Sequence, residues 1–206
     1  MPSRFLRELF PESVTFDKKS YVLLKDRSFI DTEEVATGDT RTEFFESKSG
    51  KETSEANYHG DQSLVREKNL FMILQLSFYP RIRMLDHDEW LSVYRRGFFE
   101  LKVSAPEEVT VDEDVLANIA GHVGEKRYIS QDDHGDSAGL GAIDRRTYLI
   151  TENKFVPGGR SFQFVVNWPE GAASAPGAAA VASGNGLLVA TDFCVEVYGA
   201  EYEERK

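Results

Sequence analysis

The stretch TYLITENKFVPGGRSFQFVVNWPEG, residues 147–171, contains two strand-like runs joined at a bend. Apolar and more polar positions alternate through SFQFVVNW (161–168), which is the period-two pattern of a strand with one buried face. The Pro-Gly-Gly sequence between the runs (157–159) is typical of a sharp turn. Such glycines can also form an anion nest, but a phosphate site usually passes its chain to a helix N-terminus. Because the chain continues as a strand, we interpret the bend as sheet geometry and Arg160 as a candidate for pairing between subunits.

Other segments rich in β-branched and aromatic residues also predict strands. They are YVLLK (21–25), RTEFFE (41–46), NLFMILQLSFY (69–79), GFFELKV (97–103), RTYLI (146–150) and LLVATDFCVEVYG (187–199). Alternation in the last segment predicts a face made of Val189, Thr191, Phe193, Val195 and Val197. Alternation in 69–79 predicts a face made of Leu70, Met72, Leu74, Leu76 and Phe78.

Helical patterns are few and short. DHDEWLSVYRRG (86–97) begins with a capping-box pattern and ends at a glycine, and DEDVLANIAG (112–121) predicts a second brief helix. Short strands, few helices and polar connections predict an all-β fold. The expected architecture is an antiparallel β-sandwich, a single jelly roll of about eight strands with one or two short helices. We expect residues 1–11 to form an N-terminal arm and residues 12–206 to form this one domain.

The composition narrows the range of partners. A formal net charge of −11 opposes direct nucleic-acid binding, which requires a basic surface. One cysteine, Cys194, excludes an internal disulfide framework. No apolar run reaches the roughly 18 residues of a membrane span, and MPSRFLRELF lacks the apolar region of a secretion signal. We therefore expect synthesis and folding in the cytoplasm.

The N-terminal segment carries apolar residues at helical spacing: Phe5, Leu6, Leu9 and Phe10. A helix this short is marginal alone and needs a surface to pack on. Two arrangements fit the pattern. The segment docks on its own domain, or it reaches a partner subunit or a membrane surface.

Metal and catalytic motifs are weak. His59-Gly60-Asp61 and His134-Gly135-Asp136, with His122 as a distant ligand, match the residue types of a non-haem iron site. Both tripeptides lie among turn-forming residues, so a loop is the better interpretation. The chain has no nucleophile elbow and no phosphate-binding loop. We predict that the protein is not an enzyme and needs no cofactor.

An acidic loop is a weak candidate for a divalent cation. QDDHGDSAG (131–139) places Asp132, Asp133 and Asp136 close together, without the spacing of an EF-hand.

Basic doublets stand out on this acidic chain. Arg95-Arg96 and Arg145-Arg146 are either surface salt-bridge partners or contacts with acidic patches of identical neighbours.

The order of features resembles the jelly-roll capsid proteins of icosahedral, internal-membrane-containing bacterial and archaeal viruses. Three stretches carry the resemblance: TGDTRTEFFESKSGKETSEANYHGDQSLVREKNLFMILQLSFYP (37–80), KFVPGGRSFQFVVNW (154–168) and LLVATDFCVEVYGAEYEER (187–205). The length is closest to the single, upright jelly-roll type. The resemblance implies a coat protein of the virion, made in the host cytoplasm, that assembles with copies of itself and with other capsid proteins. It also implies that the N-terminal arm extends towards a neighbour or the internal membrane.

Two other functions also fit the sequence. A β-sandwich binding module, for carbohydrate or a receptor, would use Trp90, Trp168 and Tyr58 as a stacking platform. A metal-dependent enzyme would use the His-Gly-Asp tripeptides.

Overall fold

The computed structural model describes ten stretches of the chain, which contain nine β-strands. The stretches are residues 10–36, 38–46, 50–52, 55–58, 64–81, 93–94, 97–104, 116–123, 146–168 and 190–205. The strands are β1 (Ser13–Phe16), β2 (Lys19–Val35), β3 (Arg41–Phe44), β4 (Asn69–Pro80), β5 (Phe98–Val103), β6 (Ile119–His122), β7 (Arg146–Pro157), β8 (Phe162–Asn167) and β9 (Thr191–Glu204). They form two antiparallel sheets that pack on each other, so the predicted all-β antiparallel sandwich is confirmed.

The strands pair in a nested order along the chain. β2 pairs with β9, β3 with β8, β4 with β7, and β5 with β6. Two further ladders, between β4 and β9 and between β5 and β8, join these pairs into sheets. The five-stranded sheet has the order β1-β2-β9-β4-β7 and the four-stranded sheet has the order β3-β8-β5-β6. The chain therefore crosses between the sheets at every connection from β2 to β9 except the one between β5 and β6.

Aromatic rings dominate the core between the sheets. Phe78 of β4 stacks on Phe193 of β9 with ring centroids 4.8 Å apart, and Phe99 of β5 stacks on Phe164 of β8 at 5.3 Å. Phe44 of β3 bridges the two pairs, 6.1 Å from Phe78 and 6.0 Å from Phe164. Burial of each such side chain stabilises the fold by roughly 1.5–3 kcal/mol, so this cluster holds the two sheets together.

A β-bulge at Leu74 changes which residues of β4 face the core. The register of β4 with both neighbouring strands shifts between Ile73 and Gln75. Ile73 belongs to the core before the bulge, whereas Leu76 and Phe78 belong to it afterwards. The predicted single face of 69–79 is therefore wrong, because one inserted residue moves the following side chains to the other side of the sheet.

A second apolar cluster lies on the outer face of the five-stranded sheet. Its buried members are Phe10, Phe16, Tyr21, Leu23, Leu70, Met72, Leu116, Phe155, Ala200 and Tyr202. A bulge between Leu23 and Lys25 in β2 separates these outer positions from the inner ones that follow. Both faces of this sheet are consequently apolar along part of their length.

The predicted helix over 112–121 is wrong where the structure describes it. Ile119–His122 is strand β6, which pairs with the edge of β5, and Leu116 forms a bridge with Phe155. Pairing with an open sheet edge outweighs the weak local helix signal of this segment. Within the predicted helix over 86–97, Val93 and Tyr94 are helical, and residues 86–92 and 95–96 lie outside the described residues.

Gly199 provides a test of the central ladder. It lies inside β9, opposite Ile73, and an added Cβ would collide with the backbone carbonyl of Met72 and lie 2.9 Å from the Phe71 ring. We expect Gly199→Ala to lower the free energy of unfolding by about 3 kcal/mol, measured by urea denaturation, because the β4 backbone cannot move without breaking two ladders.

Gly159→Ala is the matched control for this substitution. Gly159 has a φ of 75°, but the nearest atom to an added Cβ is 3.8 Å away. It should cost only about 1 kcal/mol for the left-handed backbone. Equal losses for the two variants would contradict the packing proposed for β9.

Candidate assembly surfaces

The outer face of the four-stranded sheet presents an exposed aromatic ring. Phe98 is 48% exposed, the highest value among the large hydrophobic residues described, while Phe99 beside it points into the core. The strand registers place Arg41, Asn167, Phe98 and His122 in one row across all four strands. Because Phe98 is the first residue of β5, this row and its exposed ring lie at one end of the sheet.

Ion pairs lie along the same face of this sheet. Arg41 lies 2.6 Å from Glu43 on β3, and Lys102 lies 2.5 Å from Glu100 on β5. Ion pairs this exposed contribute about 0–1 kcal/mol to stability, so the fold does not depend on them. A face that carries both charges can pair with a second copy of itself, and such pairs would set orientation more than affinity.

The described part of the N-terminal segment packs on its own domain. Phe10 is 1% exposed within the outer apolar cluster, and its ring centroid lies 6.2 Å from that of Tyr198. The hydroxyl of Tyr202 donates a hydrogen bond to the carbonyl of Pro11 at 3.1 Å. Phe10 therefore docks on its own domain and leaves little of its surface for contact with a second subunit. Phe5, Leu6 and Leu9 lie outside the described residues.

The Pro-Gly-Gly bend is a turn packed against the segment before β4. The N–H of Gly159 donates to the Val65 carbonyl at 2.9 Å, and the N–H of Val65 donates to the Arg160 carbonyl at 3.2 Å. A Cβ on Gly158 would lie 2.5 Å from the Arg66 carbonyl, so only glycine fits there. These contacts support the interpretation as sheet geometry. The guanidinium of Arg160 is half-buried and donates to the Ser104 carbonyl at 3.4 Å, and its proposed intersubunit pairing stays a prediction.

Most of the other candidate residues lie outside the described parts of the chain. They are His59, Trp90, Arg95, Arg96, Asp132, Asp133, His134, Asp136 and Arg145. Only the backbone is described for Arg146, the first residue of β7, and for His122 in β6. Among the described residues, no group of three or more His, Cys, Asp or Glu could hold a metal ion, and no helix is long and apolar enough to cross a membrane.

The predicted aromatic platform of a binding module is wrong for two of its three residues, Trp168 and Tyr58. Trp168 is fully buried and its indole N–H donates to the Val93 carbonyl at 3.0 Å. Tyr58 is 1% exposed and packs on Phe45. Neither ring can stack on a sugar, because both already complete the core.

A buried polar cluster on β2 was missed by the sequence analysis. Asp31 is fully buried, and its Oδ1 accepts hydrogen bonds from the Thr32 N–H at 3.0 Å and the Lys51 ammonium at 2.7 Å. Its Oδ2 accepts from the Phe45 N–H at 2.5 Å and the Tyr58 hydroxyl at 3.4 Å. The Asp31 carboxylate therefore ties the segments on both sides of residues 47–49 to β2.

Burial shifts the pKa values of two groups in this cluster. Lys51 also contacts the carboxylate of Glu33, two residues along the same face of β2. Burial raises the pKa of Glu33, and the hydrogen bond from Lys51 opposes that shift. Burial, followed by the nearby Asp31 charge, raises the pKa of Tyr58, so its hydroxyl remains a donor.

A second buried carboxylate lies near the end of β9. Glu201 is 2% exposed and accepts a hydrogen bond from the Asn69 side chain at 2.6 Å. Arg27 lies 3.5 Å and Lys25 3.6 Å from its oxygens. The Arg27 guanidinium also covers the ring of Phe29, 4.3 Å from the centroid, which joins this charge to the core.

No protein-family model, curated protein or solved structure matches this chain.

Removal of the Asp31 carboxylate should be strongly destabilising. Asp31→Ala leaves the buried N–H groups of Thr32 and Phe45 without this acceptor, and the Lys51 ammonium keeps only its contact with Glu33. We expect the free energy of unfolding to fall by about 3–5 kcal/mol in urea denaturation.

Asp39→Ala is the control, because Asp39 accepts one hydrogen bond in a turn, from Ala36 at 2.8 Å. It should cost about 1 kcal/mol. A loss for Asp31→Ala no larger than that of the control would show that the buried cluster is not structural.

Proposed function

We propose that this chain is a single jelly-roll capsid protein that self-assembles into an icosahedral viral shell. The observation that carries the proposal is the nested strand order. In an eight-stranded jelly roll, the first strand pairs with the eighth, the second with the seventh, and so on inwards. Strands β2 to β9 pair in this order, with β1 as an additional strand at the edge. Viral coats, lectins and cupins all use this arrangement. The fold is therefore compatible with several functions, and the capsid function has to be argued from further observations.

Three observations favour a coat over a sugar-binding module. The order of sequence features resembles the single, upright jelly-roll coats, and two rings expected to bind sugar are buried in the core. The mixed charges on the Phe98 face suit a contact between identical subunits better than a sugar platform, which needs open aromatic faces.

The proposed role is mechanical. In an upright jelly roll the two sheets stand normal to the shell, so their outer faces meet neighbouring subunits. The face around Phe98 would make one such lateral contact, with Arg41 and Lys102 opposite acidic residues of the neighbour. Repeated contacts between different faces extend into a shell, and the net charge of −11 keeps the other surfaces soluble. We propose that residues 1–9 contact a neighbour or an internal membrane.

Replacement of Phe98 tests whether this face mediates assembly. Phe98→Glu adds a charge at an exposed position, so the melting temperature should stay close to that of the unchanged protein. We expect sedimentation velocity to show large assemblies for the unchanged protein and a marked shift towards monomer for the variant.

Lys18→Glu is the matched control, because it also places a glutamate at an exposed position, but in the turn between β1 and β2 rather than on a sheet face. It should assemble like the unchanged protein. An unchanged protein that sediments as a monomer at every concentration would contradict the capsid proposal. Assembly that is equally lost in both variants would contradict the specific role of the Phe98 face.

A further inference from the structure

Lys51, Asp31 and Glu33 form a largely buried ion pair that is shared with a second carboxylate. The Lys51 Nζ lies 2.7 Å from Oδ1 of Asp31 and also contacts a carboxylate oxygen of Glu33. The Asp31 side chain is fully buried and that of Lys51 is 13% exposed. Groups held this closely inside a protein react as if at very high concentration, since no diffusion or reorientation precedes the reaction.

We propose that Lys51 and Asp31 form an intramolecular isopeptide bond, with Glu33 as the group that transfers protons between them. The bond would join Nζ of Lys51 to Cγ of Asp31 and link the segment after β3 covalently to β2.

The reaction balances without an oxidant or a further reactant. The Nζ–Cγ bond forms and the Cγ–Oδ1 bond breaks. Two of the three ammonium protons leave with Oδ1 as one water molecule, and the third remains as the amide hydrogen. Glu33 accepts these two protons from Nζ one after the other and passes each to Oδ1, so it ends the reaction in its starting state.

The surroundings of Asp31 would stabilise the tetrahedral intermediate. Negative charge then develops on Oδ2, which already accepts hydrogen bonds from the Phe45 N–H and the Tyr58 hydroxyl. Donors held in place for such an oxyanion accelerate acyl transfer by about 100- to 1,000-fold each. Phe45 has a φ of 66°, a costly conformation for a phenylalanine, and in this conformation its N–H donates to the carboxylate.

Burial also favours condensation. The rings of Phe45 and Tyr58, 5.5 Å apart, pack beside the carboxylate and limit the access of water that would hydrolyse the product. Burial raises the pKa of Glu33, which brings this carboxyl nearer to the range where it can both take up and release a proton.

The Lys25–Glu201 pair offers an internal comparison. Glu201 is as buried as Asp31, but the Lys25 side chain is 56% exposed and its Nζ lies 3.6 Å from the carboxylate. The described contacts of Lys25 include no second carboxylate that could transfer a proton. We therefore expect no bond between Lys25 and Glu201.

Tryptic digestion of the denatured full chain, followed by mass spectrometry, tests the proposal. Trypsin does not cleave after an acylated lysine, so the bond would yield peptide 28–41 joined to peptide 49–66, lighter than their sum by one water molecule. Cleavage after Lys25 should be complete. Recovery of peptides 49–51 and 52–66 in full yield from the folded, unchanged protein would overturn the proposal, and this measurement does not depend on any variant.

Two variants test the assigned roles. Lys51→Arg keeps the positive charge but should give no linked peptide. Glu33→Gln should slow formation of the linked peptide at least 100-fold while the protein stays folded, as judged by circular dichroism. Linkage at the unchanged rate in Glu33→Gln would overturn the role of Glu33. These results are independent of the assembly state, so they can fail without affecting the proposed capsid function.

Discussion

The antiparallel ladders on either side of β9 are the constraint on which the rest of the structure depends. β9 lies between β2 and β4 in the middle of the five-stranded sheet, so the last described strand completes a sheet that the first strands begin. Until it pairs, β2 and β4 lack a common partner and the aromatic core lacks Phe193, Val195 and Val197. Contacts this distant in sequence require closure of long loops before they contribute energy, which is typical of slowly folding β-sandwiches.

Two buried carboxylates reinforce the ladders where strands leave regular geometry. Glu201 lies opposite Lys25, next to the bulge of β2, and binds Asn69 at the start of β4. Asp31 holds the backbone of Phe45, where β3 has ended and the chain takes a left-handed conformation. Buried charges are costly unless all their hydrogen bonds are satisfied, so each site fixes one arrangement of the strands around it.

The β class could be predicted from the sequence, because β8 and β9 show the alternation of buried and less buried residues that a strand requires. The Pro-Gly-Gly turn also lies where its residue types indicate. The predicted strand over 21–25 is too short, since the structure has a strand over Lys19–Val35. The missed part, DRSFIDTEEV (26–35), is too polar to be recognised as a strand from composition, because about half of its side chains face solvent. The two bulges could not be predicted from the sequence either. An inserted residue moves the later side chains to the other side of the sheet without changing the composition of the strand. The Asp31–Lys51 site could not be predicted, because nothing in the sequence relates two common charged residues that only the fold brings together.

Electron microscopy of the purified full-length protein tests the proposed capsid function most directly. If the proposed function is correct, micrographs should show closed shells or a regular lattice of upright subunits. Fields of uniform single particles of monomer size, at concentrations where the protein remains folded, would contradict it.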